Sequence, residues 1–219
     1  MNPAPYCDRS HAGQELARAL EPYRHAPGAL VLALPRGGVP VAYEVTHALG
    51  IPLEVFVVRK LGHPAQPEFA LGAIASGGVR VLNPGHQRVP EQALQEVERR
   101  ERAELQRRER LYRGDRPLPD LAGRTVILVD DGIATGATLR AAAQAVRAQS
   151  PARLVLAAPV GAADVCRALR DCADEVVCPR TPEPFHAVGA WYEDFPQVSD
   201  EEVQALWQRS LQQTEGAQP

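Results

Sequence analysis

Apolar residues in this chain gather into short unbroken runs rather than alternating with polar ones. Five stand out: ALVLAL (29–34), VFVV (55–58), VILV (126–129), LVLAAPV (154–160) and EVV (175–177). A strand with one solvated face alternates apolar and polar positions, whereas a strand covered on both faces stays apolar throughout. The runs therefore predict strands of a parallel sheet buried on both sides. Between several of them the period changes to that of a helix. GVPVAYEVTHAL brings Val41, Val45, Ala48 and Leu49 onto one stripe, and TLRAAAQAVRAQ does the same with Leu139, Ala142, Ala143 and Val146. Strand and helix in alternation predict an α/β fold with a central parallel sheet flanked by helices, Rossmann-like in its layering.

Two regions break this rhythm. Residues 61–90 are rich in Gly and Pro, and within them FALGAIA and VRVLN flank SGG, the pattern of a hairpin. The next stretch, EQALQEVERRERAELQRRERLYRG, predicts a helix over 91–113 whose Glu and Arg alternate in sign. Interspersed signs favour a solvated helix laced with i,i+4 pairs over a nucleic-acid-binding one. Towards the C-terminus, RTPEPFHAVGAWYEDF packs several aromatics into an irregular segment, followed by a helix capped by SDEE from Ser199. Aromatics in such a loop form either a small satellite core or a lid over a planar ligand.

Composition narrows the function classes. The 219 residues carry a net charge of −3, so no global cationic field gathers nucleic acid. No run approaches the roughly 18 apolar residues of a membrane span, and the N-terminus MNPAPYCDRSHAGQEL lacks the order of a signal peptide. The expectation is a cytoplasmic protein with neither nucleic acid nor membrane as partner. Cys7, Cys166, Cys172 and Cys178 form no C-x-x-C pair, and the scattered histidines include no H-E-x-x-H, which argues for reduced thiols and against a structural metal site.

The most informative stretch is VILVDDGIATGAT, Val126 to Thr138. With VILV as a strand and ATLRAAAQAV as a helix, the loop between them lies at the carboxyl edge of the sheet, where open α/β folds bind ligands. Its second half offers backbone N–H groups at a helix N-terminus, which favours an anion. Gly132 and Gly136 permit close approach, and Thr135 and Thr138 add hydroxyl donors. The Lys of a Walker A loop is missing, and the spacing is not G-x-G-x-x-G. Asp130 and Asp131 cannot bind phosphate, but they can accept hydrogen bonds from vicinal hydroxyls and tolerate Mg²⁺. Acceptors for a diol followed by donors for a phosphate describe a ribose 5-phosphate site. The plainer alternative is an Asp pair that merely caps a helix.

The whole stretch, an apolar strand, two acidic residues and a T-G-x-T loop, resembles the signature of type I phosphoribosyltransferases, and the likeness extends over about residues 27–180. Two further segments resemble parts of that family, although either alone reads equally as a plain turn. LPRGGVPVA (34–42) is similar to the loop that grips pyrophosphate, which selects Arg36, Gly37 and Gly38. VVRKLGHP (57–64) is similar to a strand end with a basic residue reaching the same group, which selects Arg59 and Lys60. The resemblance implies one domain: a core over 1–180, including a flexible loop, hairpin and charged helix over 61–115, and a hood with a closing helix over 181–219.

It also implies an enzyme of nucleotide metabolism, a glycosyltransferase moving ribose 5-phosphate from phosphoribosyl pyrophosphate (PRPP) to a nitrogenous base, with Mg²⁺ held through PRPP rather than by a dedicated protein site. PRPP phosphate and ribose would be held by Asp130, Asp131, Gly132, Ile133, Ala134, Thr135, Gly136, Ala137 and Thr138, and pyrophosphate by Arg36, Gly37, Gly38, Arg59 and Lys60. Arg36, Lys60, Asp130 and Asp131 would serve catalysis, Phe185 or Trp191 would stack on the base, and residues 62–90 would supply a closing loop. Many relatives are dimers, so a homodimer is expected. Where 6-oxopurine enzymes carry a general-base Asp this chain has Ala134, and their purine-reading Lys is Pro179, which speaks against hypoxanthine or guanine. A non-catalytic regulator sensing PRPP, and an enzyme directing the same site to another acceptor, are the alternatives.

Overall fold

The computed structural model describes residues 3–84 and 89–216. In chain order the elements are α1 (Arg9–Ala19), β1 (Leu30–Ala33), α2 (Gly38–Leu49), β2 (Leu53–Val55), β3 (Val58–His63), β4 (Gln66–Ala75), β5 (Val79–Leu82) and α3 (Glu91–Arg113). They continue with β6 (Thr125–Val129), α4 (Ala137–Arg147), β7 (Arg153–Ala157), α5 (Ala163–Ala168), β8 (Glu175–Val177) and α6 (Asp200–Gly216). Among the described residues no helix is long and apolar enough to cross a membrane.

Three of the apolar runs, in β1, β6 and β7, are strands covered on both faces, whereas the edge strand β8 is half-buried. β1, β2, β6, β7 and β8 form one sheet in the order β2-β1-β6-β7-β8, with every pairing parallel. Neighbouring side chains on a strand point to opposite faces. Val31, Ala33, Ile127, Val129, Val155 and Ala157 accordingly join the core beneath α1, α2 and α6. Leu30, Leu32, Val126, Leu128, Leu154 and Leu156 join the core on the other face, beneath α4. In β1 and in residues 126–129 and 154–157 every position is apolar and buried, whereas β2 places Glu54 among them.

One run divides between two sheets. VFVV does not form a single strand, because β2 ends at Val55 and β3 begins at Val58. Phe56 N still donates to Ala33 O at 2.9 Å, whereas Val57 N donates to Ser76 Oγ at 3.0 Å. The chain thus leaves the parallel sheet for a second, antiparallel sheet in the order β3-β4-β5. The hairpin read from the sequence is β4 and β5, turning at Gly77 and Gly78, both with left-handed φ. Most of the segment expected as a closing loop is therefore strand, and its residues 85–88 lie outside those described.

α3 lies on β3 and carries the ion pairs its sequence implies. Arg102–Glu98 and Arg108–Glu104 are i,i+4 pairs at 2.6 and 2.7 Å, while Arg59–Glu101 and Arg80–Glu98 tie the helix to the second sheet. Its last turn meets β2 and α6 at an unusual buried spot. Glu54 is 3% exposed, and Glu54 Oε2, two nitrogens of Arg113 and Trp207 Nε1 have no hydrogen-bond partner among the described residues.

Burial raises the Glu54 carboxyl above its ordinary value, against the pull of Arg113 and Arg116. A carboxyl raised in the folded state stabilises the protein at low pH, and that contribution is lost as pH rises through the raised value. Glu54→Gln should therefore gain stability relative to wild type as pH climbs above 4.5. Urea denaturation at a series of pH values tests this, and a stability difference that stays flat with pH sinks it.

Candidate functional site

The order β2-β1-β6-β7-β8 reverses direction between β1 and β6. The chain leaves β1 towards β2 on one side and leaves β6 towards β7 on the other, so the loops after these two strands part and leave a crevice. Both anion-binding segments read from the sequence, 34–38 and 130–138, lie at this one point. Leu34 N donates to Val129 O at 2.9 Å, which brings the two loops together.

Gly37 and Gly38 are explained by this approach. A Cβ on Gly37 would stand 2.0 Å from Asp131 Oδ2, and one on Gly38 would stand 2.6 Å from Val129 O. Neither distance is possible for a real side chain, so the first loop must be bare where it meets the aspartates. The Pro35–Arg36 peptide within it is cis.

The second loop forms a cavity of about 130 Å³ at the N-terminus of α4. Asp130, Gly132, Ala134, Thr135, Gly136, Ala137, Thr138 and Leu139 line it, and Val188 closes one side. Gly136 caps the helix with a φ of 69°, in the left-handed region where glycine carries no steric penalty. The first amides of α4 and the helix dipole favour an anion here. Ile133 acts differently from its neighbours. Its side chain is buried, its N–H donates to Val160 O and its carbonyl accepts from Ala162 N, both at 2.9 Å. It anchors the loop to the segment after β7.

The two aspartates have unequal surroundings. Asp131 Oδ2 accepts from Arg9 Nε at 2.9 Å, and Tyr192 Oη donates to the Asp131 carbonyl at 2.6 Å. Arg9 also donates to Pro196 O at 2.8 Å, and its guanidinium lies 3.7 Å from the centre of the Phe195 ring. Asp130 Oδ1 accepts the Asp131 amide at 2.9 Å. Burial raises both carboxyls above their ordinary value: Asp130 strongly, with the neighbouring Asp131 adding to the effect, and Asp131 against the pull of Arg9. No motif flagged Arg9; the only signal was the apolar stripe of Ala12, Leu16 and Ala17 that marks its helix.

Arg36 is about one-third exposed, with Nη1 3.8 Å from Asp200 Oδ1 at the start of α6. Arg59 and Lys60 are adjacent in sequence but occupy opposite faces of β3. Arg59 is bonded to Glu101 on α3 at 2.6 Å, whereas Lys60 shares the face of Val58, which packs against the core beneath α4. Phe185 and Trp191 stack on each other with centroids 6.5 Å apart in a cluster with Val188 and Phe195, so the aromatic segment is a satellite core beside the cavity. Among the described residues no group of three or more His, Cys, Asp or Glu could hold a metal ion. The donor set still suits Mg²⁺ held mainly by substrate oxygens with one carboxylate, the usual manner for that ion.

The profile of the phosphoribosyl transferase domain matches residues 27–193. A Mycobacterium tuberculosis protein named "Putative phosphoribosyl transferase Rv0571c" is 49% identical over 206 residues, which is 93% of this chain and 46% of that protein. The chain thus spans about half the length of the curated relatives it matches. The crystal structure of TT1426 from Thermus thermophilus superposes with a TM-score of 0.85 at 45% identity, covering 94% of this chain and 98% of that one. The AQ2163 protein from Aquifex aeolicus shares the fold at 11% identity, with a TM-score of 0.50 over 83% of this chain and 78% of its own.

Removing one member of a largely buried ion pair leaves an uncompensated charge, at a cost of about 3–5 kcal/mol. Arg9→Met should destabilise the fold by that order, and Arg9→Met with Asp131→Asn by less than the sum of the two single changes. Chemical denaturation of the four proteins measures the coupling, and additive effects would show that the pair contributes nothing.

Proposed function

The chain belongs to the type I phosphoribosyltransferase family, and from that premise we propose that it transfers ribose 5-phosphate from PRPP to a nitrogenous base and releases pyrophosphate. The observation that carries this reading is the small cavity at the α4 N-terminus with Asp130 on its wall, facing the bare loop 36–38 across the switch point. Its volume of about 130 Å³ suits a phosphate group. In this reading the amides of 134–138 and the hydroxyls of Thr135 and Thr138 hold the 5-phosphate, while the Ile133 amide stays bonded to Val160 O. Asp130, and Asp131 through its second oxygen, accept the ribose hydroxyls.

Pyrophosphate would then lie along the loop at the Gly37 amide, with Arg36 and Lys60 countering its charge. The Gly38 amide is bonded to Leu34 O at 3.1 Å, so Gly38 serves by leaving room rather than by donating. Arg59 is assigned a supporting part, since its guanidinium is bonded to Glu101. As the bond from C1 to the pyrophosphate oxygen breaks, positive character grows on the sugar and negative charge on the departing group. Fixed cations and amides aimed at that developing charge lower the barrier. Mg²⁺, held on PRPP oxygens beside Asp130, would supply further neutralisation of the leaving group. The acceptor nitrogen attacks from the side of the hood, where Phe185 or Trp191 offers a stacking face and Ala134 supplies no general base. A base already carrying a suitable lone pair fits this better than a 6-oxopurine.

Pyrophosphate release from PRPP and Mg²⁺ should depend on one class within a panel of purines, pyrimidines and small amines. Asp130→Asn/Asp131→Asn should lower that release by at least ~100-fold, the scale for losing transition-state electrostatics. PRPP binding without release across the whole panel would replace the transferase with a sensor, and absence of PRPP binding would end the reading.

A further inference from the structure

Two cysteines far apart in the expected chemistry meet behind the phosphate loop. Cys166 lies on α5 and Cys178 directly follows β8. A Cβ on Gly161 would stand 2.8 Å from Cys166 Sγ and 3.2 Å from Cys178 Sγ, so both sulfurs converge on one bare backbone position. The Cys178 thiol donates to Arg180 O at 3.5 Å, which holds its sulfur beside that of Cys166. Both line a surface cavity of about 290 Å³ together with Arg167, Arg170 and Thr181, which opens the pair to small solutes. Cys7 and Cys172 stand outside this cavity.

The pair is chemically polarised. The neighbouring Cys178 sulfur lowers the Cys166 thiol, against burial and Asp164 and with a smaller pull from Arg170, while the same contact and burial raise Cys178. A thiolate is the nucleophile in sulfur oxidation, and nearby cations favour it. Cys166 is therefore the sulfur that reacts first and Cys178 the one that resolves.

The pair is also mechanically tied to the phosphate loop. Gly161 forms a backbone bridge with Ile133, and Ala162 N donates to Ile133 O. On the other side of α5, Val165 Cγ1 would stand only 2.8 Å from a Cβ on Gly136, the residue that caps α4. A disulfide has an S–S distance of about 2.05 Å, well inside the contact distance of two thiols. Bond formation draws the two sulfurs together and fixes α5 to the end of β8, and α5 bears directly on Gly136.

We propose that Cys166 and Cys178 are a reversible disulfide site that takes a hydroperoxide as oxidant and alters the phosphate loop when it closes. The Cys166 sulfur attacks a peroxide oxygen; the S–O bond forms, the O–O bond breaks, and hydroxide leaves as water with the thiol proton. Cys178 then attacks the sulfenic sulfur; the S–S bond forms, the S–O bond breaks, and a second water departs with the second proton. The sulfurs lose two electrons in all, and hydrogen peroxide is reduced to two waters. A dithiol reductant reverses the step. The disulfide itself does not depend on the transferase reading; its consequence for PRPP does.

The test uses full-length Cys7→Ser protein, which removes the exposed thiol, treated natively with hydrogen peroxide, then denatured, alkylated and digested without reductant. Mass spectrometry should find a Cys166–Cys178 cross-link, with alkylatable thiols falling from three to one and returning to three with dithiothreitol. Cys178→Ser in the same background should give no cross-link and a sulfenic acid at Cys166 that dimedone traps. An unchanged thiol count, or a cross-link through Cys172, overturns the site. Amide hydrogen exchange over residues 132–139 should differ between oxidised and reduced protein, and identical exchange overturns the coupling to the loop. PRPP binding should weaken reversibly on oxidation. Reduced protein that never binds PRPP refutes the transferase reading, while the cross-link and the exchange difference still decide this one.

Discussion

Two adjacent carboxylates at the end of a buried strand are the demand around which this structure is arranged. Burial penalises both charges, and each raises the cost of the other. The chain answers at Asp131 by bringing a cation from α1 and a phenol from the hood onto a single residue. Arg9 reaches its carboxylate, Tyr192 its carbonyl, and Gly37 gives up a side chain so that the opposite loop can close on it. The N-terminal segment is in turn bound to the hood, with Tyr6 N donating to Trp191 O and Glu193 N to Tyr6 O, both at 2.8 Å. Among the described residues no cation is bonded to Asp130, which lies on the cavity wall. The two acids are therefore unlike: Asp131 fastens three parts of the chain together, whereas the Asp130 carboxylate bonds only the Asp131 amide among the described residues and lies on the cavity wall.

The charged helix has a comparable reach. α3 grips the second sheet through Arg59 and Arg80, and at its far end Tyr112 Oη donates to Asp200 Oδ1 at 2.6 Å. The same carboxylate oxygen faces Arg36 at 3.8 Å. A line of contacts thus runs from the antiparallel sheet through α3 and the start of α6 to the loop after β1. Exposed i,i+4 pairs contribute only a few tenths of a kcal/mol each. The value of this helix lies in where its last turn falls, because Tyr112 reaches Asp200 and Arg113 lies by the buried Glu54 while the mixed charges keep the outer face in water.

What could be read from the sequence follows from which interactions are local. Four of the five strand runs, the hairpin around Gly77 and Gly78, the charged helix and the acid-then-glycine loop all have patterns contained within a few residues, and each lies where those patterns put it. The break in VFVV was illegible because it depends on Val57 changing partner to Ser76, nineteen residues on. The opposite facing of Arg59 and Lys60 required knowing that 58–63 is a strand rather than a strand end. Arg9 was out of reach altogether, since its role rests on a contact with a residue 122 positions away. The meeting of Cys166 and Cys178 at Gly161 is of the same kind: cysteine spacing along the chain says nothing of sulfurs brought together by a strand and a helix.

The hood shows why the anion cavity and the aromatic segment must be considered together. Val188 lies in the aromatic cluster with Phe185, Trp191 and Phe195, yet it also closes the cavity. A Cβ on Gly132 would stand 2.4 Å from Val188 Cγ1, so the loop and the hood meet with no room to spare. Close-packed contacts of this kind do not deform smoothly; a shift on one side is passed to the other. Val188 thus stands between the half-buried rings of Phe185 and Trp191 and the backbone that forms the cavity. In an enzyme of the proposed kind, the grip on the sugar phosphate and the choice of acceptor would share this wall. The residue that most directly joins them is then neither an acid nor an aromatic but a valine.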